Sequence, residues 1–292
     1  MSQFEIKVPA TTANLGVGFD SIGLALNKFL TVKASPADNW QFNFKDAFLK
    51  VLPNNEQNLV AKVANKVASK FKQTMPPLRV EMSSEIPLTH GLGSSSSAIV
   101  AGIELANHFV QLNLTQEQKI VIATEIEGHP DNVGPCVTGG LFIGAYENGV
   151  LFYETADFNH VGIILSIPDY ELSTAEVRKV LPAEYSKEAI ILQNAYSNIM
   201  TAAMLKGDFE KMGAMMMKDL IHEPYRQPLI KEFDAVKNIA LTTGAFATVI
   251  SGAGPTILTL CPVERTEAIL QSLNSMVPEC RHEITTVYPL IT

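Results

Sequence analysis

The sequence is poor in cysteine and has fewer basic than acidic residues. Lys and Arg number 22 against 30 Asp and Glu, so the formal net charge of the 292-residue chain is −8. A nucleic-acid or anionic-membrane partner would need an exposed basic field, and this balance argues against both. The three cysteines, Cys136, Cys261 and Cys280, are too few and too scattered for a disulfide framework, and no Cys or Cys/His spacing indicates a zinc site.

Long hydrophobic runs are also missing. Every apolar run is far shorter than the about 20 residues that a membrane-spanning helix needs. The opening residues, MSQFEIKVPATTANLG, have neither the basic region nor the apolar core of a signal peptide. With 47% apolar and 18% charged residues, the composition is typical of a globular protein, and we expect a cytoplasmic, reducing environment.

The hydrophobic pattern predicts a chain in two α+β halves. The first half mixes strands, such as 4–8 and 22–34, with amphipathic helices such as 58–71. After about residue 156 a buried strand leads into several helices and then a strand-turn-strand unit. We therefore predict an N-terminal domain over 1–156 and a C-terminal domain over 157–292. Methionines at helical spacing in the second half, KMGAMMMKD, are expected to pack in the core.

A Gly/Ser-rich loop lies between a predicted strand and a predicted helix, in IPLTHGLGSSSSAIVAGIELA (86–106). This order brings free backbone N–H groups and the positive end of a helix dipole to one point. Gly91 and Gly93 let the backbone approach a ligand closely, and Ser94 and Ser95 offer hydroxyls to phosphate or Mg²⁺. A serine-capped turn is the alternative, but a cap needs one serine rather than four. The loop therefore predicts a phosphate site.

This loop is not a Walker A loop, because no lysine occurs between Lys72 and Lys119. Only Arg79 and His90 offer positive character nearby. Neutralisation of phosphate charge would fall to backbone dipoles and a divalent metal ion. The residues alone thus predict a nucleotide site with magnesium.

Three further stretches concentrate polar and small residues. In PATTANLGVGFD (9–20), a composition poor for strand and helix places Asn14 and Asp20 around a Gly-rich bend, which indicates either a structural turn or a substrate-facing loop. SGAGPT (251–256) is a weak signal on its own, for a hairpin or for a loop that closes over the same ligand. The stretch EIEGHPDNVGPCVTGG holds candidate Mg²⁺ ligands beside candidate acid/base groups at a helix break, namely Glu125, Glu127, His129, Asp131 and Asn132.

Together these stretches resemble the GHMP small-molecule kinases. The segment PLTHGLGSSSSA of this chain resembles their phosphate loop, with Ser96 and Ser97 in place of the family's small apolar pair. Within that superfamily, PATTANLGVGFD, EGHPDNVGP and SGAGPT are most similar to the homoserine kinases, over nearly the whole chain. The resemblance implies a two-domain α+β fold, with an N-terminal ribosomal-protein-S5-domain-2-like domain and a C-terminal ferredoxin-like domain. It implies ATP in the groove between them, and transfer of phosphate to the hydroxyl of L-homoserine in threonine synthesis.

The resemblance also implies the residues that bind ATP and Mg²⁺. Ser95 and Glu125 would be the metal ligands, with Glu127 as the alternative carboxylate. Asn58, at the start of its helix, matches a position that touches adenine. The implied ATP-binding set is completed by the phosphate loop, which comprises Pro87, Leu88, His90, Gly91, Leu92, Gly93, Ser94, Ser95, Ser96 and Ser97.

For the acceptor, the resemblance places Asn14, Asp20 and His129 around the amine and hydroxyl of homoserine. Its carboxylate needs a cation, best a guanidinium, and Arg178 and Arg226 lie in matching segments. Each could otherwise be a solvated surface arginine.

The implied catalytic residues are Asn132 and its neighbour Asp131. An amide is not a useful general base, and phosphoryl transfer can proceed by positioning and charge stabilisation. We therefore predict direct in-line transfer in which Asn132 orients the hydroxyl.

Two other functions stay open at this point. One is a GHMP kinase for another alcohol such as mevalonate, which has no amine for Asp20 and His129. The other is a non-catalytic nucleotide-binding paralogue, which would have lost a metal ligand or a loop glycine. A homodimer is expected from the resemblance alone.

Overall fold

The computed structural model describes residues 3–291. The strands of the first half are β1 (Phe4–Ala13), β2 (Ile22–Pro36), β3 (Gln41–Phe44), β4 (Leu78–Ser84), β5 (Leu141–Glu147) and β6 (Val150–Ala156). They form one sheet in the order β3-β4-β2-β5-β6, with β1 paired to β2. Strand β2 is antiparallel to each of its partners, whereas β3 and β4 pair in parallel. This sheet is the platform for the Gly/Ser-rich loop, which follows β4.

Four helices accompany this sheet: α1 (Leu59–Lys70), α2 (Ser94–Phe109), α3 (Gln116–Glu127) and α4 (Pro130–Thr138). Helix α2 contacts β1 as well as α1, α3 and α4, and it is buried from Ser96 to Ile103. A helix that is apolar on nearly every face is expected to lie in the core, and α2 does so. Helix α3 begins with a capping box between Thr115 and Gln118.

Two elements differ from the sequence-based expectation. Strand β1 continues through the stretch predicted to be neither strand nor helix and ends at Ala13, with a register shift between Pro9 and Ala10. Such an irregularity accommodates Pro9, which cannot donate a ladder hydrogen bond. Helix α4 was not predicted, because it contains Gly134 and Pro135. Its packing against β1, β2 and β5 outweighs their low helix propensity.

The second half forms an antiparallel sheet of β7 (Gly162–Pro168), β8 (Ala247–Ile250), β9 (Ile257–Cys261) and β10 (Cys280–Thr285). Its helices are α5 (Thr174–Lys179), α6 (Lys187–Lys206), α7 (Phe209–Met216), α8 (Glu223–Arg226), α9 (Phe233–Thr242) and α10 (Thr266–Met276). With α9 before β8 and α10 before β10, the sheet order β10-β7-β9-β8 is that of a ferredoxin-like βαββαβ unit. The predicted fold class is therefore confirmed.

The methionine-rich segment of α7 packs in the core, as predicted. Met212 and Met216 are fully buried, and they join Met200 and Met204 of α6 in one cluster with the first half. This apolar contact helps to fix the two halves against each other.

The last residues return to the first sheet. The backbone N–H of Tyr288 donates to Ala25 O, that of Ile291 donates to Thr138 O, and Val287 forms a bridge with Leu26. This tail therefore packs on the N-terminal half, across the predicted division into 1–156 and 157–292. The boundary itself stays a prediction, in the connection between β6 and β7.

Within residues 3–291, no helix is both long enough and apolar enough to cross a membrane.

Candidate active site

A cleft with an empty volume of about 670 Å³ opens where the Gly/Ser-rich loop meets the C-terminal half. Both halves supply its walls. The lining residues are Asn14, Asp20, Thr89, Gly91, Gly93, Ser94, Ser95, Ser96, Glu127, His129, Asp131, Asn132, Arg178, Arg226, Gly252 and Ala253. The cleft thus combines a glycine loop, carboxylates and two arginines, which are the groups that a charged, phosphorylated ligand needs.

Two glycines of the loop are required by their backbone conformation and by their close neighbours. Gly93 (φ +71°) precedes α2, and a Cβ there would lie 2.1 Å from Thr11 Oγ1. Gly91 (φ +73°) lies against the 251–256 turn, and its Cβ would lie 2.3 Å from Ser251 O. Any other residue would push the loop off β1 or off this turn. The SGAGPT turn is therefore packed directly on the phosphate loop.

The N-terminus of α2 opens into the cleft at Ser94 and Ser95. Its first backbone N–H groups have no intrahelical acceptor, and the dipole of this 16-residue helix is positive at that end. Together with the two hydroxyls, these groups form a cradle for phosphate oxygens.

Other residues of the implied ATP-binding set bond to neighbouring parts of the protein. Ser97 Oγ donates to Pro9 O and lies 3.0 Å from Gly93 O, and Leu92 is a core residue. His90 is held by Leu88 O and by Pro168 O at the end of β7. None of Pro87, Leu88, His90, Leu92 and Ser97 is among the lining residues of the cleft. Leu92 O accepts from Thr11 N of β1 and His90 bonds to Pro168 O of β7, and contacts of these five residues with ATP stay a prediction.

Ser96 lines the cleft, and its hydroxyl is bonded to a neighbouring carboxylate. Its hydroxyl donates a 2.9 Å hydrogen bond to Glu127 Oε1. A small apolar residue at this position could not make this contact. Ser96 is therefore a positioning group for Glu127.

The two candidate metal-site carboxylates of α3 lie in different surroundings, and which of them binds a metal stays a prediction. Glu125 is a half-exposed residue that pairs with Lys70 of α1 outside the cleft, whereas Glu127 lines the cleft. Side chains two positions apart on a helix point in directions that differ by about 200°. Glu125 and Glu127 therefore project to opposite sides of α3. The spacing to His129 alone could not decide this, because helix α3 ends at Glu127 and the chain turns at Gly128.

Glu127 and Ser95 fit a magnesium ion by their chemistry. Burial raises the pKa of Glu127 above its ordinary value, although the hydrogen bond from Ser96 opposes this. Glu127 forms no salt bridge with the described residues, so its carboxylate is desolvated without a bonded cation. A hard cation would offset this cost, and carboxylate and hydroxyl oxygens are ligands that Mg²⁺ accepts.

His129 and Asp131 form a close pair at the start of α4. His129 Nδ1 lies 2.5 Å from Asp131 Oδ1, and Asp131 is almost fully buried. Burial lowers the pKa of His129, but the hydrogen bond and charge of Asp131 outweigh it, so that the pKa is raised overall. Asp131 is thereby committed to His129, and it also accepts a long hydrogen bond from Asn132 Nδ2 at 3.4 Å.

Asn132 is oriented by a residue that the sequence did not single out. The hydroxyl of Thr11 on β1 donates a 2.7 Å hydrogen bond to Asn132 Oδ1. With Oδ1 bonded to Thr11 and one N–H of Nδ2 directed at Asp131, the amide has its other N–H left for the cleft. No local pattern signals Thr11, because it is one β-branched residue in a strand and its partner is 121 positions away.

Asn14 and Asp20 lie on the bend after β1. Asn14 Oδ1 accepts from Asp20 N, and its Nδ2 donates to Gly252 O, which links the bend to the C-terminal half. The carboxylate of Asp20 pairs with Arg178 Nη2 at 2.8 and 3.0 Å. Asp20, His129 and Asp131 also lie close enough to share a cation, but Asp20 and Asp131 are already bonded to Arg178 and His129.

Arg226, the last residue of α8, also lines the cleft. It is buried, its Nη1 donates to Gly252 O at 2.9 Å, and its Nε is buried without a partner in the described chain. Burial lowers the pKa of Arg226, yet a guanidinium stays charged in water-accessible sites. A buried cation with an unused donor is suited to an anionic ligand.

The ring of Phe19 connects the two arginines. The guanidinium carbons of Arg226 and Arg178 lie 5.2 and 5.8 Å from its centroid, and His222 stacks on it at 5.0 Å. His222 Nε2 donates to Gly16 O, so Nδ1 is left to face Arg226 Nη1 at 3.3 Å. Phe19 and His222 therefore set the positions of both cations.

Asn58 lies outside the cleft. Its Oδ1 caps α1 by accepting from Val60 N, and its Nδ2 donates to Pro53 O. The N-cap explains an asparagine at this position. The contact with adenine stays a prediction.

Comparison with known proteins gives two matching family models. The model for the N-terminal domain of GHMP kinases matches residues 58–140, and the model for their C-terminal domain matches residues 200–279. The first includes the phosphate loop, Glu127 and Asn132, and the second includes Arg226 and the 251–256 turn.

The chain is similar to curated homoserine kinases over nearly its full length. It is 47% identical to that of Staphylococcus haemolyticus, with 98% of this chain and 95% of the relative covered, and 46% identical to that of Staphylococcus aureus, with 97% and 94% covered. The crystal structure of a homoserine kinase from Cytophaga hutchinsonii superposes with a TM-score of 0.88 at 26% identity, covering 100% of this chain and 98% of that one.

Proposed function

The chain belongs to the homoserine kinases of the GHMP kinase family and is an ATP-dependent kinase, and we infer from this premise that it converts L-homoserine and ATP to O-phospho-L-homoserine and ADP, a step of threonine synthesis. The observation that carries the inference is one cleft in which a phosphate cradle faces paired carboxylate- and amine-binding groups. The cradle suits the phosphates of ATP, and the facing groups suit a zwitterionic amino acid.

We propose that the amino-acid end is held between the two halves. Arg226 and Arg178 would hold the carboxylate, and Asp20 with Asn14 would hold the amine. The hydroxyl would then face Asn132, beside the N-terminus of α2. This arrangement points the acceptor oxygen toward the γ-phosphate.

The transfer itself is proposed to be a direct in-line displacement. The hydroxyl oxygen of homoserine forms a bond to the γ-phosphorus, the bond from that phosphorus to the β–γ bridging oxygen breaks, and ADP leaves. The Asn132 amide donates to the acceptor oxygen and holds it in line. The hydroxyl proton passes to the transferred phosphate or to solvent, because Asp131 is bonded to His129.

Ser95 and Glu127 are the residues proposed to hold Mg²⁺. When bound, the ion would neutralise charge on the β- and γ-phosphates. Ser96 keeps the Glu127 carboxylate in place through its hydroxyl. The helix N-terminus at Ser94 supplies the remaining positive potential.

The test is ATP-dependent phosphorylation of L-homoserine, L-serine, L-threonine, mevalonate and shikimate, with and without Mg²⁺. We expect a strong preference for L-homoserine and no turnover when Mg²⁺ is chelated. Preferred turnover of mevalonate or shikimate would indicate a GHMP kinase for another alcohol. ATP binding without turnover of any of the five would indicate a non-catalytic nucleotide-binding protein.

We further propose that the protein acts in the cytoplasm and forms a homodimer. Its three cysteines are free and buried, which agrees with a reducing compartment.

Helix α6 carries no charged side chain from residue 189 to 205, and it exposes Ile191 (56%), Ile199 (43%) and Leu205 (58%). A second copy would cover this face. Sedimentation equilibrium should give the mass of a dimer, and Ile191→Glu should shift it toward the monomer.

A further inference from the structure

Two groups proposed to bind opposite ends of the substrate are paired with each other in this structure. Arg178, on α5 of the C-terminal half, places Nη2 2.8 and 3.0 Å from the two carboxylate oxygens of Asp20. Asp20 belongs to the bend between β1 and β2 of the N-terminal half. Both residues line the cleft and are partly accessible to solvent. The exposed fraction of the side chain is 42% for Arg178 and 31% for Asp20.

The surroundings make Asp20 the natural counter-charge for Arg178. Phe19 holds the guanidinium groups of Arg178 and Arg226 on one ring, so two cations lie close together. Arg226 is fixed from behind by Gly252 O and is not bonded to Asp20. Asp20 therefore relieves the repulsion between the two arginines through its bond to Arg178.

An amino acid can replace both partners of this ion pair at once. If the proposed function is right, the ammonium group takes the place of Arg178 at Asp20, and the carboxylate takes the place of Asp20 at Arg178. Each charged group of the protein exchanges one opposite charge for another. A ligand with a single charge cannot do this, because it must break the pair and leave one member without a partner.

We propose that the Asp20–Arg178 ion pair is a specificity determinant, which favours ligands that carry both an amine and a carboxylate and disfavours ligands that carry only one of them. This inference rests on the proposed function and adds to it a reason why a simple hydroxy acid or amino alcohol binds poorly. The selection acts through the unliganded state rather than through contacts in the complex.

The experiment measures binding of 4-hydroxybutanoate, which lacks the amine, to the wild type and to Asp20→Asn by titration calorimetry. In Asp20→Asn the pair is broken and Arg178 is free, so we expect 4-hydroxybutanoate to bind about threefold or more tightly than to the wild type. L-Homoserine should bind more weakly to the same variant. Asparagine accepts the positive φ of Asp20 (+54°), so the bend is preserved.

The reciprocal variant uses the other single-charge ligand. Arg178→Gln frees Asp20, and we expect 3-aminopropan-1-ol to bind about threefold or more tightly than to the wild type. Asp38→Asn, an exposed site beyond the other end of β2, is charge-matched to Asp20→Asn and should leave the binding of both ligands unchanged. If neither single-charge ligand gains affinity in either variant, the ion pair does not select between ligands, and that result refutes the proposal.

The two inferences fail in different ways. A wild type that does not phosphorylate L-homoserine refutes the proposed function. A wild type that does so, with 4-hydroxybutanoate bound equally well or not at all by both the wild type and Asp20→Asn, refutes the role of the ion pair alone.

Discussion

Thr11 Oγ1 lies 2.7 Å from Asn132 Oδ1, and this hydrogen bond joins strand β1 to the first turn of α4. A hydroxyl can donate to an amide oxygen, so the bond fixes which face of the carboxamide points into the cleft. Its neighbour Thr12 accepts from Ser251 Oγ, whose turn packs on Gly91. The end of β1 is thus the support on which the acceptor site and the phosphate loop are aligned.

Thr11→Val is expected to lower kcat about tenfold, with little change in the KM of ATP or homoserine, because it removes one buried hydrogen bond to Asn132 and keeps the shape of the side chain. Thr11→Ser, which retains the hydroxyl, should restore most of the rate. Steady-state kinetics of the three proteins measures this. Thr259→Val removes a buried hydroxyl from the C-terminal sheet and should leave kcat unchanged. Equal losses in Thr11→Ser and Thr11→Val would mean that the hydroxyl does not orient Asn132.

Glu127→Gln and Glu125→Gln separate the two glutamates of α3. Glu127→Gln should weaken the binding of Mg²⁺, raising the Mg²⁺ concentration needed for half-maximal activity at least about tenfold, because a carboxylate ligand is lost. Glu125→Gln should remain close to the wild type, since it breaks only a surface pair with Lys70. Titration of activity with Mg²⁺ measures both. The reverse ranking would return the metal to Glu125.

The glycine loop and the fold class could be predicted from the sequence. The loop was visible because its signal lies in a few neighbouring residues. Gly91 and Gly93 adopt positive φ, and such positions are visible as residue types in a strand-loop-helix pattern. Several strands of the second half are visible as short apolar runs, whereas their ferredoxin-like arrangement was implied only by the resemblance to a kinase family. Arg178 and Arg226 have no such local pattern, and only the resemblance to a kinase family separated them from other arginines.

Other parts of the site depend on contacts between distant residues. Thr11 is unremarkable in a strand until α4 brings Asn132 to it, and α4 itself was hidden by Pro135. The choice between Glu125 and Glu127 depends on how α3 packs on α2, because Ser96 of α2 forms a hydrogen bond with Glu127 only. Tertiary packing decides each of these points, and a single sequence records it only indirectly.

A pH dependence of stability is expected from Glu223. Burial raises its pKa to about 7, although its carboxylate accepts a hydrogen bond from Ile250 N. The folded state then binds a proton more tightly than the unfolded state, so the free energy of unfolding falls as pH rises from about 4.5 to 7, by up to about 3 kcal/mol. Glu223→Gln removes this titration and should be more stable than the wild type at pH 8. Urea unfolding at pH 5 and pH 8 measures the difference, and an equal response of both proteins to pH would contradict it.

Arg226→Lys tests the buried half of the carboxylate site. A lysine keeps the charge but cannot hold Gly252 O, the ring of Phe19 and an anion with one planar group, as the guanidinium does. We expect the KM for L-homoserine to rise at least about tenfold, which is the effect of losing a charge-assisted hydrogen bond, while the KM for ATP stays within about twofold. Steady-state kinetics with each substrate varied in turn measures this. Arg79→Lys, an exposed site on β4, is the matched control and should leave both constants unchanged. If Arg226→Lys raises the KM of ATP as much as that of homoserine, the buried guanidinium serves the nucleotide, and the carboxylate must be held by Arg178 alone.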